Sequence, residues 1–332
     1  MTEAPATSAA VLADDIARRD AGRGERRSTA LVVGVVAVAV IVAVALTPNF
    51  LTVDNVRAIL RNASIVGIVA VAMTPITLSG NFISLGTQQS AMAGTVLFVA
   101  LVGSGWLPAL AIAVVLVALV LVGVLQGFVV AAGLNPVITT LAAGAIIFGI
   151  VADATDGGIV RLGDHPVSWG NATIAGIPLE VLVFALFTIA VGVIMTRTVA
   201  GREMTLAGAN RETAEVSGIS SQRVAVGAFV IFSVGLAVAG VLTGAGFGQA
   251  TIQSLSTLTV DALAAILVGG TAIAGGYGSP WRSAAGAVLI AVISNVMVLN
   301  DFSTGGRLAV QGAVVVVVVV LLEFLRRRRE VR

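Results

Sequence analysis

Cysteine is absent from this chain of 332 residues, and so is lysine. The first absence removes disulfides, thiolate nucleophiles and cysteine metal sites. The second removes the Walker A phosphate loop, whose lysine reaches the β- and γ-phosphates, and Schiff-base chemistry with it. Charge of either sign is scarce: 11% of residues are charged, against about 25% in soluble globular chains. The one histidine, His165, sits among scattered aspartates, which is no metal-ligand set. No serine stands in a nucleophile motif. A net charge of only +2, with arginines remote from any aromatic cluster, argues against nucleic acid as a partner.

What is present is apolar. Hydrophobic residues make up 58% of the chain and the mean hydropathy is +1.05. A membrane span needs about 20 apolar residues. Such stretches lie near 31–47, 64–79, 86–103, 107–132, 136–153, 177–196, 224–247, 259–274, 283–300 and 306–325. The expected fold is an all-α polytopic membrane protein with about ten transmembrane helices in a lipid bilayer. The 31–325 region is the membrane domain. Residues 1–30 are charged and rich in Ala, Ser and Thr, so they are expected to form a disordered tail rather than a signal peptide. A short basic tail occupies 326–332.

Cytoplasmic loops of membrane proteins carry excess arginine. With the amino terminus inside, 15 arginines fall inside and four outside, Arg57, Arg61, Arg161 and Arg307. Both termini are therefore expected in the cytoplasm. Arg57 and Arg61 are expected on a short interfacial helix after Thr52, where long side chains reach the headgroups. The 38 glycines suit close helix approach in lipid.

Two interruptions break the apolar pattern. The first is Leu78-Ser79-Gly80-Asn81-Phe82-Ile83-Ser84-Leu85-Gly86-Thr87-Gln88-Gln89-Ser90. It follows an apolar stretch of about 24 Å as helix, which puts the break at membrane depth. Non-helical backbone is tolerated there where it is buried in protein or lines a cavity, and discontinuous helices point to transport pathways. Asn81, Gln88 and Gln89 are thus candidates to face a solute, with Phe82 as an apolar gate; a plain glycine turn is the competing reading. The second interruption, 269–280, is glycine-rich but lacks the strand that a dinucleotide-binding loop requires. It reads as a tight turn. Asp261 precedes an apolar stretch, and capping its helix is its simplest role, with a functional carboxylate inside the membrane as the alternative.

The longest polar connection, 197–223, contains Gly201, Arg202, Asn210, Arg211, Glu212, Glu215 and Gly218. Asn210 suits an N-cap, Glu212 the first turn, and Gly218 a left-handed helix end. A short capped helix here suits docking into a groove of another protein, or is a solvated surface helix.

At this loop the chain resembles the membrane subunit of ATP-binding-cassette importers of the ribose/xylose type, a family with branched-chain amino-acid and nucleoside relatives. Gly201, Arg202, Ala207, Gly208, Asn210, Ala214, Gly218 and Ile219 match its loop pattern, with Thr213 at an alanine position. Further blocks match at 49–56, 135–141, and 261–271 with 275–279. The likeness spans about residues 48–325. It departs where the sugar-type pattern has aspartate and this chain has Phe82. The resemblance implies a multi-pass plasma-membrane permease without cofactor or metal. Its partners would be separate ATPase subunits on the 197–223 loop, an extracytoplasmic solute-binding protein, and a second copy or homologue. The solute would be small and polar, with a monosaccharide first, and branched-chain amino acids, nucleosides or a signalling sugar as alternatives. An ion-coupled carrier would want mid-span carboxylates, and a membrane enzyme a cluster of reactive groups; the sequence offers neither. The purified chain alone is expected neither to bind nor to hydrolyse ATP. Nucleotide hydrolysis by the subunit free of any partner would overturn that expectation.

Overall fold

Long apolar runs set the helices of this chain, and glycine, proline and a few polar caps end them. The computed structural model describes residues 47–48, 50–81, 83–163, 167–272, 274–303 and 305–314, with isolated helical positions between 34 and 44 and at 316 and 320. The tails at 1–30 and 326–332, most of the span expected at 31–47 and the end of the one expected at 306–325 lie outside the described residues.

The helices run in the order α1 (Val53–Leu78), α2 (Thr87–Gly103), α3 (Pro108–Ala131), α4 (Pro136–Ala154), α5 (Leu179–Arg197), α6 (Val199–Ala209), α7 (Arg211–Val216), α8 (Ser221–Phe247), α9 (Leu258–Val268) and α10 (Pro280–Leu299). Six of them, α1, α3, α4, α5, α8 and α10, are long and apolar enough to cross a membrane.

Three expectations change. The span at 64–79 and the interfacial helix after Thr52 are one continuous helix, the 26-residue α1. Its arginines do not break it, because Arg61 reaches the Glu180 carboxylate of α5 at 3.5 Å. The span expected at 259–274 shortens to the 11 residues of α9, about 16 Å and too short to cross. Gly270, at φ +72°, ends it: the Gly270 N–H donates to Leu267 and the Thr271 N–H to Ile266, the paired bonds of a Schellman motif. The 197–223 connection holds two helices, α6 and α7, rather than one.

The core forms where a helix is apolar on all sides. Every residue from Val66 to Leu78 of α1 is buried, against α10, α8, α5 and α9. Helix α8 packs against α3, α1 and α2. The most apolar window of α1 is 78% buried, whereas those of α3 and α4 are 22% and 17% buried. The outer helices thus present Leu, Val and Ile outward, a surface stable in lipid rather than water.

The two ends of the bundle differ. At one end, β1 (Val160–Arg161) pairs antiparallel with β4 (Gln249–Ala250). Beside it, β2 (Thr173–Ile174) and β3 (Ile177–Pro178) form a hairpin whose two turn residues, Ala175 and Gly176, both have positive φ, as a type I′ turn requires. At the other end lie α6, α7 and the turns at 79–80 and 275–276.

Asp261 does not cap α9. Thr257 holds the N-cap position, and Asp261 lies one turn inside the helix and buried. Its carboxylate accepts from the Thr257 hydroxyl at 2.7 Å and from Gln311 Nε2 at 2.7 Å, with Arg307 as a further electrostatic partner. A buried carboxylate needs such partners, and here they tie α9 to the 305–314 helical segment. Asp261→Ala would strand the buried Gln311 amide, a loss of about 1–3 kcal/mol. The apparent melting temperature of the detergent-solubilised protein is expected to fall by several degrees, with Asp261→Asn intermediate; an unchanged melt for Asp261→Ala would contradict the tie.

Candidate functional site

Helix α1 ends in a second Schellman motif. The Gly80 N–H donates to Thr77 at 3.1 Å and the Asn81 N–H to Ile76 at 3.2 Å, with Gly80 at φ +74°. Asn81 is buried, and its Nδ2 donates to Ser79 Oγ at 2.9 Å, whose hydroxyl donates to the Ile76 carbonyl at 2.8 Å. The Asn81 amide therefore braces the turn. Phe82 lies outside the described residues.

The chain then runs back into the bundle. With α1 26 residues long, a short preceding helix no longer argues for depth; the contacts of the break do. Leu85 N–H donates to Thr140 Oγ1 on α4 at 3.1 Å. A Cβ on Gly144 would stand 3.0 Å from Gly86 Cα. Gly144 lies eight residues beyond Pro136, so the break reaches about 12 Å along α4 from the α3–α4 turn.

Helix α2 starts there without a side-chain cap. The Gln88 N–H donates instead to Thr259 Oγ1 of α9 at 3.0 Å, so the starts of the two short helices meet. Both Gln88 and Gln89 are half-buried. Gln89 Oε1 accepts no hydrogen bond among the described residues, and it lies 3.3 Å from where a Gly144 Cβ would be. The structure thus brings Gln88 to Thr259, Gln89 to Gly144 and Leu85 to Thr140, while the Asn81 amide is held by Ser79. Thr259 escaped the sequence reading, because a threonine in an apolar run signals nothing until its partner is known.

The 197–223 region is built to project. Thr198 caps α6 through Gly201 N–H at 3.2 Å, and Asn210 caps α7 through Thr213 N–H at 3.0 Å. Gly201 is buried at the α5–α6 corner, where a Cβ would overlap the Ile194 carbonyl. Gly218, at φ +83°, closes α7: its N–H donates to Glu215 and the Ile219 N–H to Ala214. Arg202, Asn210, Arg211, Glu212, Glu215 and Gly218 are all exposed. Leu206 and Val216 are exposed beside them, at 56% and 92%, and apolar side chains presented this way on a polar surface favour contact with a partner. Arg211 pairs with Glu215 at 3.3 Å. The Ser221 hydroxyl, and after it the Arg211 guanidinium, hold the Glu215 carboxyl below its usual range.

A family profile described as "Branched-chain amino acid transport system / permease component" matches residues 55–319. The ribose import permease protein RbsC of Haemophilus influenzae is 30% identical over 288 residues, covering 84% of this chain and 88% of that one. RbsC of Bacillus subtilis is 29% identical over 280 residues, covering 83% and 87%. The xylose transport system permease protein XylH of Escherichia coli is 33% identical over 140 residues, covering 42% and 36%. No solved structure matches. A match that begins in the first turn of α1 and runs past Gln311, with likeness over most of each ribose relative, makes this chain a member of the ABC permease-component family and a multi-pass protein of the bacterial plasma membrane.

Proposed function

We propose that this chain forms the translocation pathway of an ABC importer for a monosaccharide, with D-ribose first and D-xylose second. The observation that carries the reading is the polar break at 83–89, which reaches about 12 Å into an apolar bundle and leaves the Gln89 carbonyl oxygen without a partner among the described residues. An uncharged amide can both donate to and accept from sugar hydroxyls, and it avoids the expense of a charge in hydrocarbon. Near-full-length likeness to permeases named for ribose import supports the sugar. In this reading Gln88 and Gln89 face the solute, Asn81 braces the entrance turn and Phe82 gates it.

The α6–α7 end faces the cytoplasm in this reading, which the 15-to-4 arginine division supports. Separate ATPase subunits dock there, on Arg202, Asn210, Arg211, Glu212, Glu215 and the exposed Leu206 and Val216. The hairpin end receives an extracytoplasmic binding protein, and a second copy of the chain or a homologue completes the pathway. ATP binding at the docked subunits biases which face is open, since a ligand shifts an equilibrium only by its differential affinity for the two states.

The test is uptake by proteoliposomes holding the permease with its cognate ATPase and binding protein. ATP-dependent accumulation of labelled D-ribose or D-xylose is expected; accumulation of leucine with neither sugar would replace the substrate class. Single cysteines at 88 and 89 in this cysteine-free chain are expected to react with a small impermeant thiosulfonate, and D-ribose is expected to protect at least one. Two unreactive positions in an active transporter would move the pathway elsewhere.

The docking helix generates its own expectation. A valine at Gly218 would sit at φ +83°, a conformation that costs a side chain about 1–2 kcal/mol. Among the described residues, nothing beyond its chain neighbours lies within 4 Å of that Cβ, so the effect is confined to the end of α7. Uptake and ATPase recruitment by Gly218→Val are expected to drop while membrane insertion stays intact. Full uptake at normal expression would leave α7 as a surface connection.

A further inference from the structure

Three backbone segments meet in direct contact at the α6–α7 end. The first is the end of α1, where the Leu78 carbonyl accepts from the Gly276 N–H at 3.0 Å. The second is Gly208 in the last turn of α6. A Cβ there would overlap the Leu78 carbonyl oxygen and stand 2.9 Å from Gly276 N. The third is the α9–α10 turn. A Cβ on Gly275 would be 2.8 Å from Gly80 Cα and 2.9 Å from the Gly208 carbonyl, and one on Gly276 would be 2.7 Å from Ala209 Cα. Gly80, Gly275 and Gly276 have φ of +74°, +93° and +71°, which side chains rarely adopt. Close approach and left-handed backbone thus both demand glycine at this junction.

Side chains packed between two elements can change rotamer and absorb a displacement; backbone in direct contact cannot. Leu78 is the last residue of α1, and the break that ends at Gln88 and Gln89 follows it. A shift of α6 therefore moves the start of the break directly, and through Gly276 the turn that leads into α10. We infer that Gly208, Gly276 and Gly80 are positioning residues for transport. They form a rigid joint that carries motion of the docking helices α6–α7 into the 79–89 segment. The inference rests on the reading of α6–α7 as the ATPase-docking element and says how that element reaches the pathway.

The joint is tested in the assembled complex with its ATPase subunits, in a readout that needs no solute. Gln88→Cys reports the pathway through its labelling rate with a small thiosulfonate, with and without ATP and vanadate. Coupled sites of this kind shift affinities by about 5-fold or more, and a nucleotide effect of that size is expected in the Gln88→Cys parent. Adding Gly208→Ala should reduce the effect below about 2-fold while ATP hydrolysis and ATPase recruitment persist. Gly149→Ala on α4, whose Cβ meets nothing within 4 Å, should leave it unchanged. A nucleotide effect retained in Gly208→Ala would overturn the joint.

A second arm keeps all glycines, in case the alanine impairs folding. Ser79→Cys with Ala209→Cys flanks the junction, and a short bismaleimide should bridge the pair equally with and without nucleotide and leave nucleotide-dependent labelling of a third cysteine at 88 intact. A bridge that forms in one nucleotide state alone, or that freezes position 88, would show the segments separating and sink the inference. Loss of the nucleotide effect in the parent itself, with bridging unaffected by nucleotide, would instead count against the pathway reading and leave the joint standing.

Discussion

Inside an apolar bundle, each backbone N–H and C=O that leaves a helix must find its partner within the protein, and the path from Leu78 to Gln88 shows how this chain meets that demand. The turn at Ser79, Gly80 and Asn81 closes on the carbonyls of Pro75, Thr77 and Ile76. The Leu78 carbonyl takes the Gly276 N–H, Leu85 finds Thr140 Oγ1, and Gln88 finds Thr259 Oγ1. These donors and acceptors come from α4, α9 and the α9–α10 turn. The neighbours of the break are therefore fixed by its backbone, and the bundle around it is arranged accordingly. A helix as short as α9 earns its place by offering Thr259 to one neighbour and Asp261 to another.

The same demand accounts for where glycine and charge appear. Gly86, Gly144 and Gly208 sit where a Cβ would strike backbone or crowd a neighbouring side chain, so close approach replaces side-chain packing around the break. Charge near it is tied up by partners. Glu180 meets Arg61 across α1 and α5, and Asp261 is closed off by Thr257 and Gln311. What lines the break is amide and hydroxyl, groups that hydrogen-bond without a counter-charge. That chemistry suits a neutral, hydroxyl-bearing solute better than an ion.

Helix existence was largely legible in the sequence; helix ends were legible only where a local signal set them. Asn210 and Gly218 each act close to themselves in sequence, and each was readable as a cap or a stop. Arg57 and Arg61 misled, because a charge in an apolar stretch reads as a boundary until its partner, 119 residues beyond Arg61 at Glu180, is seen. Asp261 misled for the same reason: Gln311 is 50 residues away. Helix α6 was lost because its 11 residues are short and mixed in polarity, so they do not stand out as a span. At the site, the polarity of Gln88 and Gln89 was visible, but that Asn81 is turned onto Ser79 while Gln89 keeps a free acceptor is tertiary information.

The placement of the two helix starts leads one step further. Helices α2 and α9 have 17 and 11 residues, and neither has a side-chain cap at its first turn. Helix starts carry unpaired N–H groups and a partial positive charge, which would repel one another if left bare in an apolar surrounding. Thr259 resolves the conflict by turning its hydroxyl oxygen to the Gln88 N–H, and the Thr257 hydroxyl is drawn off to Asp261. The Asp261 carboxyl, one turn into α9, is held in turn by the Thr257 hydroxyl and the Gln311 amide, so the start of α9 is tied to the 305–314 segment.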